Sequence, residues 1–157
     1  MAESARVLFV CLGNICRSPL AEALARREAN RRGLASQFVF GSAGTGNWNL
    51  GRPPDPGIIR LAQHHGLSMG HHRARQVSAD EIPDWDWFVV MDAQNRADLL
   101  TLGVPEEKIL PMGCFVAAGT EAEVPDPYGR DDTAFARVFT MLQHGIAPLL
   151  EFLCACR

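Results

Sequence analysis

VLFVCLGNICRSPLAEALARR, residues 7–27, changes periodicity halfway along. Val7-Leu8-Phe9-Val10 is a short apolar, β-branched and aromatic run bounded by a glycine turn, the pattern of a strand buried on both faces. From Ser18 onward the pattern is helical. Ser18 can cap the helix, Pro19 suits the first helical position where its missing N–H costs nothing, and Leu20 and Leu24 lie one turn apart before Gly33 ends the segment. Arginines 26, 27, 31 and 32 fall toward the end that the helix dipole favours for cations. Between strand and helix stand Cys11 and Arg17, with five residues, Gly13 among them, in between. A thiol, several backbone amides and a fixed positive charge therefore share one small hollow.

The rest of the chain repeats this alternation. Phe38-Val39-Phe40 reads as a second strand leading into Ser42-Ala43-Gly44-Thr45, and Asp55-Pro56 opens a helix carrying Ile58, Ile59, Leu61 and Ala62 as far as Gly66. Trp87 to Met91 is a third strand, followed by a helix over Ala93 to Leu100 and a Gly-Val-Pro turn; Ile109-Leu110 is a short fourth strand. After a loop rich in Gly, Pro and acids, Phe135, Val138, Phe139, Leu142, Ile146, Leu149, Leu150 and Leu153 recur at helical spacing. Pro148 falls inside that pattern and is expected to kink or break the helix near Gly145. Strands alternating with helical segments predict an α/β fold: a single domain over residues 1–157 with a four-stranded parallel sheet and helices on both faces. Ligands of such sheets bind beyond the carboxyl ends of the strands, where strand order reverses, and Cys11 ends the first strand.

The totals bound the function. The 157 residues are 47% hydrophobic, enough for one core, and the formal net charge of −3 offers no global field for nucleic acid or an anionic membrane. The start, MAESARVLFV, lacks a basic, long-apolar leader, and no apolar run suggests a bilayer span, so a soluble cytoplasmic protein is expected. Five cysteines fit reduced thiols better than a disulfide framework, and the Cys154-Ala155-Cys156 spacing is not that of a C-x-x-C motif.

The loop from Cys11 to Arg17 is long enough to curl with its N–H groups inward. Converging amides and the positive end of the following helix stabilise a phosphate-like dianion and also a thiolate. Arg17 adds a planar fork that grips two phosphate oxygens, which lysine cannot copy. A Walker A loop needs a Gly-Lys pair that is missing, and a dinucleotide fingerprint needs more glycine than Gly13. His64-His65 and His71-His72 are adjacent pairs, whose rings point apart in most backbones, and no cysteine or carboxylate clusters beside them, so no metal site and no cofactor are expected.

VCLGNICRSP after an apolar strand resembles the opening of the low-molecular-weight protein tyrosine phosphatases. SAGT at 42–45, WNLGRPPDP at 48–56, GHHRARQ at 70–76, MDAQN at 91–95 and PDPYG at 125–129 follow in that family's order. The resemblance implies a flavodoxin-like fold and hydrolysis of phosphotyrosine through a cysteinyl-phosphate, with Cys11 as nucleophile, Arg17 as phosphate ligand and Asp126 as general acid. It implies a phosphate-binding loop of Leu12, Gly13, Asn14, Ile15, Cys16 and Ser18, held in shape by Asn14, Ser18, Ser42 and His72, with Ser18 donating to the Cys11 sulfur. Leu12, Ile15, Trp48, Asn49 and Tyr128 match the positions that wall the approach, and Cys16 matches the partner of a reversible disulfide with Cys11. Asp126 between Pro125 and Pro127 sits on a stiffened loop, and departure of a phenol needs a proton donor that then serves as base for water.

The implied partner is a phosphotyrosine protein, a tyrosine kinase among the candidates, acted on by a monomer or weak dimer. Tyr128 is followed by Gly129 where many relatives carry a second tyrosine, so control through a tyrosine pair is not expected. Two rivals share parts of the pattern. An arsenate reductase would need relay cysteines near residues 80–90, where there are none, and a non-catalytic phosphopeptide binder would have no use for a thiolate and Asp126 together.

Overall fold

A computed structural model of the chain describes residues 3–116 and 123–156. Its frame is set by β1 (Ala5–Cys11), in which Val7 and Phe9 point to one side of the sheet and Leu8 and Val10 to the other, all four with no solvent exposure. A strand apolar on both faces must lie in the middle of a sheet covered twice. It does: β2 (Phe38–Gly44) pairs with it on one edge and β3 (Trp87–Val90) on the other, while β4 (Ile109–Pro111) adds to β3, every pairing parallel. The strand order is β2-β1-β3-β4. The chain runs outward from β1 to β2, then crosses back to β3, so strand order reverses beside β1 and Cys11 ends at that point.

Helices α1 (Arg17–Arg31), α2 (Pro56–His64) and α5 (Asp132–Ala155) cover the Val7 and Phe9 face, where Leu20, Leu24, Ile58, Phe139, Leu142 and Leu149 form one core. Helix α3 (Ala93–Leu102) covers the other face, where Leu99 joins Trp85, Phe88, Val90 and Val104. The single turn α4 (Gly113–Val116) bears on α5. The expected α/β architecture, four parallel strands with helices on both sides, is the observed one.

Its boundaries differ in instructive ways. β2 continues past Phe40 to Gly44 because all seven of its residues ladder with β1; Gly41, Ser42, Ala43 and Gly44 carry little apolar signal, and the Trp85 ring occupies the space above Gly41. β3 stops at Val90, one residue short of Met91, and α3 extends to Leu102 before Gly103, at φ +109°, closes it. Helix α2 starts as expected, with the Asp55 carboxylate accepting from the Gly57 N–H at 2.8 Å and Pro56 first in the helix. Helix α1 does not: Arg17 is its first residue, Cys16 stands at the N-cap with no side-chain cap bond, and Ser18 lies inside the first turn. Three 3₁₀ turns, at Ala35–Gln37, Ala79–Asp84 and Glu106–Lys108, join these elements, the second opened by a capping box of Ser78 and Glu81.

The expected break at Pro148 is corrected as well. α5 runs as one helix of 24 residues through Gly145 and Pro148. Pro148 lies on its exposed side, where the carbonyl freed at His144 can reach water, and Leu149, Leu150 and Leu153 beyond it are anchored in the core. The expectation that no segment is apolar enough to span a bilayer also needs correcting: by length and composition alone, α5 qualifies. Its apolar stripe, from Phe135 to Leu153, is spent on the core under the sheet. Residues 117–122, part of the loop rich in Gly and acids, lie outside the described residues.

Candidate active site

The loop after β1 is defined by where its carbonyls go. Cys11 O accepts from Thr45 N at 2.9 Å, Leu12 O from Gly46 N at 2.9 Å, Gly13 O from Asn49 Nδ2 at 3.2 Å, Asn14 O from His72 Nε2 at 2.8 Å and Ile15 O from Asp55 N at 2.9 Å. Five successive carbonyls thus point outward to donors from elsewhere in the fold. In a trans peptide the N–H lies opposite the C=O of the same unit, so the N–H groups of residues 12–16 are turned inward. One of them, on Asn14, lies 3.3 Å from Cys11 Sγ. The result is a ring of amide donors around a thiol at the sheet's switch point, with the first turn of α1 opening onto it.

Asn14 is the keystone of this ring. It is fully buried with φ 57°, a left-handed conformation that asparagine tolerates better than most residues. Its Nδ2 donates to Ser18 Oγ at 2.8 Å and to Ser42 Oγ at 3.1 Å, and its Oδ1 accepts from Arg75 N at 3.0 Å. Because Ser18 Oγ accepts from Asn14, its own proton is free for Cys11 Sγ, 2.9 Å away, and a thiolate there can only accept. Ser18 therefore faces the sulfur and does not cap the helix. His72 reaches the ring from a separate segment and is held below its ordinary pKa, chiefly by burial and then by the neighbouring His71 and Arg73, against the opposing Asn14 carbonyl and Glu22.

Arg17 is 2% exposed, unusual for a guanidinium, and its partners explain it. Nη1 donates to Asp92 Oδ2 at 2.7 Å and to the Val124 carbonyl at 3.0 Å, while Nη2 lies 3.6 Å from Asp126 Oδ2. Burial disfavours its charge, but Cys11, Asp92 and Asp126 together outweigh burial and hold its pKa above the ordinary arginine value. Cys16 behaves in the opposite way. Burial first, then the negative charges of Asp55, Cys11 and Asp126, push its pKa well up despite Arg17, so it stays a neutral thiol.

These residues meet in one pocket. Its lining is Cys11 to Arg17 with Trp48, Asn49, Asp126 and Tyr128, so every expected wall and loop residue except Ser18, Ser42 and His72 faces the cavity. Those three stand behind the loop through the bonds above. Asp126 accepts from the Tyr128 N–H at 3.1 Å, which fixes the turn that carries both. Trp48 and Tyr128 are largely exposed and form the rim.

Some site residues have no role in the sequence reading. Asp92 holds Arg17 with one carboxylate oxygen and caps α3 through Asn95 N with the other; the sequence marks it by the Asp-x-x-Asn spacing after a strand and by its place in MDAQN at 91–95, neither of which points to Arg17. Gly44 ends β2 so close to the loop that a Cβ would stand 2.7 Å from Leu12 O and 3.2 Å from Gly13 C. Gly46 similarly leaves room for the Trp48 ring, which a Cβ would overlap. Of the paired histidines, His65 stacks on Phe139 with ring centroids 4.1 Å apart and His72 serves the loop. Among the described residues no group of three or more His, Cys, Asp or Glu side chains is gathered as metal ligands would be.

A parallel α/β sheet whose first strand delivers a cysteine into a ring of amides beside a buried arginine defines a protein with a thiol set in an anion site. Residues 6–155 match the family model described as low molecular weight phosphotyrosine protein phosphatase, and the chain belongs to that family. It is 38% identical over 146 residues to the low molecular weight protein-tyrosine-phosphatase YfkJ of Bacillus subtilis (strain 168), with 92% of each chain covered. It is 36% identical over 149 residues to the low molecular weight phosphotyrosine protein phosphatase of Sus scrofa, covering 92% of this chain and 93% of the relative. The crystal structure of YfkJ matches with a TM-score of 0.92 at 35% identity, over 99% of this chain and 98% of that one. A protein tyrosine phosphatase from Entamoeba histolytica, crystallised with Hepes in its active site, matches at 0.89 and 33%, over 96% and 97%.

Proposed function

We propose that the chain is a protein-tyrosine phosphatase that hydrolyses phosphotyrosine and small aryl phosphates through a cysteinyl-phosphate. The observation that carries the reading is the outward turn of five loop carbonyls around Cys11, which leaves the opposing N–H groups facing a phosphate beside Arg17. In the first step Cys11 Sγ attacks phosphorus and the bond to the phenolic oxygen breaks, while Asp126 gives that oxygen a proton. In the second, Asp126 takes a proton from water, water attacks the phosphocysteine, and Cys11 leaves as thiolate with its charge met by the Ser18 hydroxyl and the Asn14 N–H. Arg17 offers its fork to two phosphoryl oxygens in both steps. Neither step calls for a metal or cofactor.

Leu12, Ile15, Trp48, Asn49 and Tyr128 make a slot that suits an aryl ring above the phosphate. The substrate is a phosphotyrosine protein, a tyrosine kinase being one such protein, and the enzyme works as a monomer or weak dimer in the cytoplasm, where a nucleophilic thiol stays reduced. Cys16, neutral and buried beside Cys11, is the thiol that would condense with a Cys11 sulfenic acid, giving a disulfide and water and sparing Cys11 from further oxidation.

The test is hydrolysis of an aryl phosphate at mildly acidic pH without added metal. Wild type turns over, Cys11→Ser is inactive, and Asp126→Ala is slowed by about 10²- to 10⁴-fold. A folded, reduced wild type without activity overturns the reading.

A further inference from the structure

Two turns flank the pocket and share one construction. In the first, Arg52 N donates to Asn49 O at 2.9 Å and Gly51 has φ +80°; in the second, Arg130 N donates to Pro127 O at 3.0 Å and Gly129 has φ +75°. Each is a four-residue turn with a left-handed glycine third and an arginine fourth, and each raises an exposed apolar side chain before the glycine, Leu50 or Tyr128. Both turns are continuous with the pocket lining, through Asn49 in one and Tyr128 in the other.

Among the described residues the two arginines, like Arg137 on the exposed side of α5, have no side-chain partner, and of the three only they end turns that carry pocket-lining residues. Among the described residues, the other arginines outside α5 are engaged: Arg17 with Asp92, Arg26 with Glu22, Arg31 and Arg32 with Glu28, Arg75 with Glu81, Arg96 with Glu106, Arg60 with Asp132, and Arg6, Arg27 and Arg73 with backbone carbonyls. Arg52 and Arg130 are exposed and, among the described residues, make no side-chain hydrogen bond or ion pair. The acids that neighbour the turns in sequence have contacts of their own: Asp126 with Arg17 and the Tyr128 N–H, Asp131 with the Ala134 N–H and Asp55 with the Gly57 N–H, while the exposed Asp132 lies 4.0 Å from Arg60. A chain with a net charge of −3 thus holds, among its described residues, two unpaired arginines on turns whose Asn49 and Tyr128 line the anion pocket.

A phosphotyrosine seated in the pocket brings its own chain across this rim, and extended residues on either side advance about 3.3 Å each, so the nearest two or three neighbours pass over the two turns. We infer that Arg52 and Arg130 are specificity-determining residues that select phosphotyrosines flanked by aspartate or glutamate on a substrate protein. The inference rests on the phosphatase reading and deepens it: the pocket chooses the phosphoryl group and the rim chooses its sequence context. Exposed pairs are weak individually, so the discrimination is several-fold and salt-sensitive.

The experiment compares three phosphotyrosine peptides of equal length, with Asp, Ala or Lys at the three positions on each side, and reads kcat/KM for each relative to that for an aryl phosphate, which has no flanks. At low ionic strength wild type prefers the Asp peptide over the Ala peptide by about fivefold, and high salt cuts this below about twofold. The Arg52→Ala, Arg130→Ala double variant loses the preference, and the corresponding double glutamate variant prefers the Lys peptide. Wild type that hydrolyses the aryl phosphate without discriminating among peptides, or a preference that survives in the double alanine variant, overturns the inference alone. Failure to hydrolyse aryl phosphate and peptides alike overturns the phosphatase reading and the inference with it.

Discussion

Asn14 shows how much one residue contributes to the loop. It supplies two things that can be separated by mutation: a left-handed backbone at φ 57°, and side-chain bonds to Ser18, Ser42 and the Arg75 N–H. Asn14→Gly keeps the backbone and removes the bonds, leaving Ser42 and the Arg75 N–H short of a partner, at a cost of about 2 kcal/mol. Asn14→Ala removes the same bonds and also puts a Cβ into the left-handed region, costing about 1 kcal/mol more. Urea unfolding of the two variants should therefore rank alanine below glycine, and equal stabilities would mean that the backbone at this position carries no strain. At this scale the sequence was informative where chemistry and spacing coincide: Cys11, Arg17 and Asp126 converge on one cavity as expected. It was less so for Asp92, whose partnership with Arg17 joins residues 75 apart and leaves no local trace.

Among the elements, β1 and α5 mark the two ends of legibility. The unbroken apolar run of β1 leaves a central strand as the only sensible reading, whereas Pro148 pointed to a break that α5 does not make. The local rule about proline is sound, since the residue has no N–H to give the His144 carbonyl and its ring crowds that turn. It was outweighed by burial of Ile146, Leu149, Leu150 and Leu153 on either side of it, which only the assembled core provides. The local cost should still be present as stored destabilisation. Pro148 is exposed, so Pro148→Ala sacrifices no core packing and restores one helical hydrogen bond; a gain of about 1–3 kcal/mol is expected in the urea-unfolding free energy. A neutral or destabilising result would mean that the helix is shaped around the proline and gains nothing from the restored bond.

At the scale of the whole molecule the phosphate-sized ring is held from outside. Thr45 and Gly46 beyond β2, Asn49 and Asp55 before α2, and His72 and Arg75 in the segment after it each bind the loop from 34 to 61 residues away in the chain. A stretch from Cys11 to Arg17 cut out of the fold would have no reason to turn its carbonyls outward, which is why spacing alone could suggest the ring but not its supports. This coupling makes overall stability sensitive to one imidazole. Burial holds the His72 pKa below its ordinary 6.5, so the unfolded chain takes up the proton before the folded one does. Above 6.5 the ring is neutral in both states and the site is undisturbed; as pH falls through 6.5 toward the depressed folded value, protons favour the unfolded chain and stability drops. His72→Gln has an amide that can still donate to the Asn14 carbonyl but does not titrate. The difference in urea midpoint between wild type and this variant should therefore shift against wild type between about pH 7.5 and about pH 5. Two midpoint curves that stay parallel over that range would show that His72 ties the loop to the fold without linking it to pH.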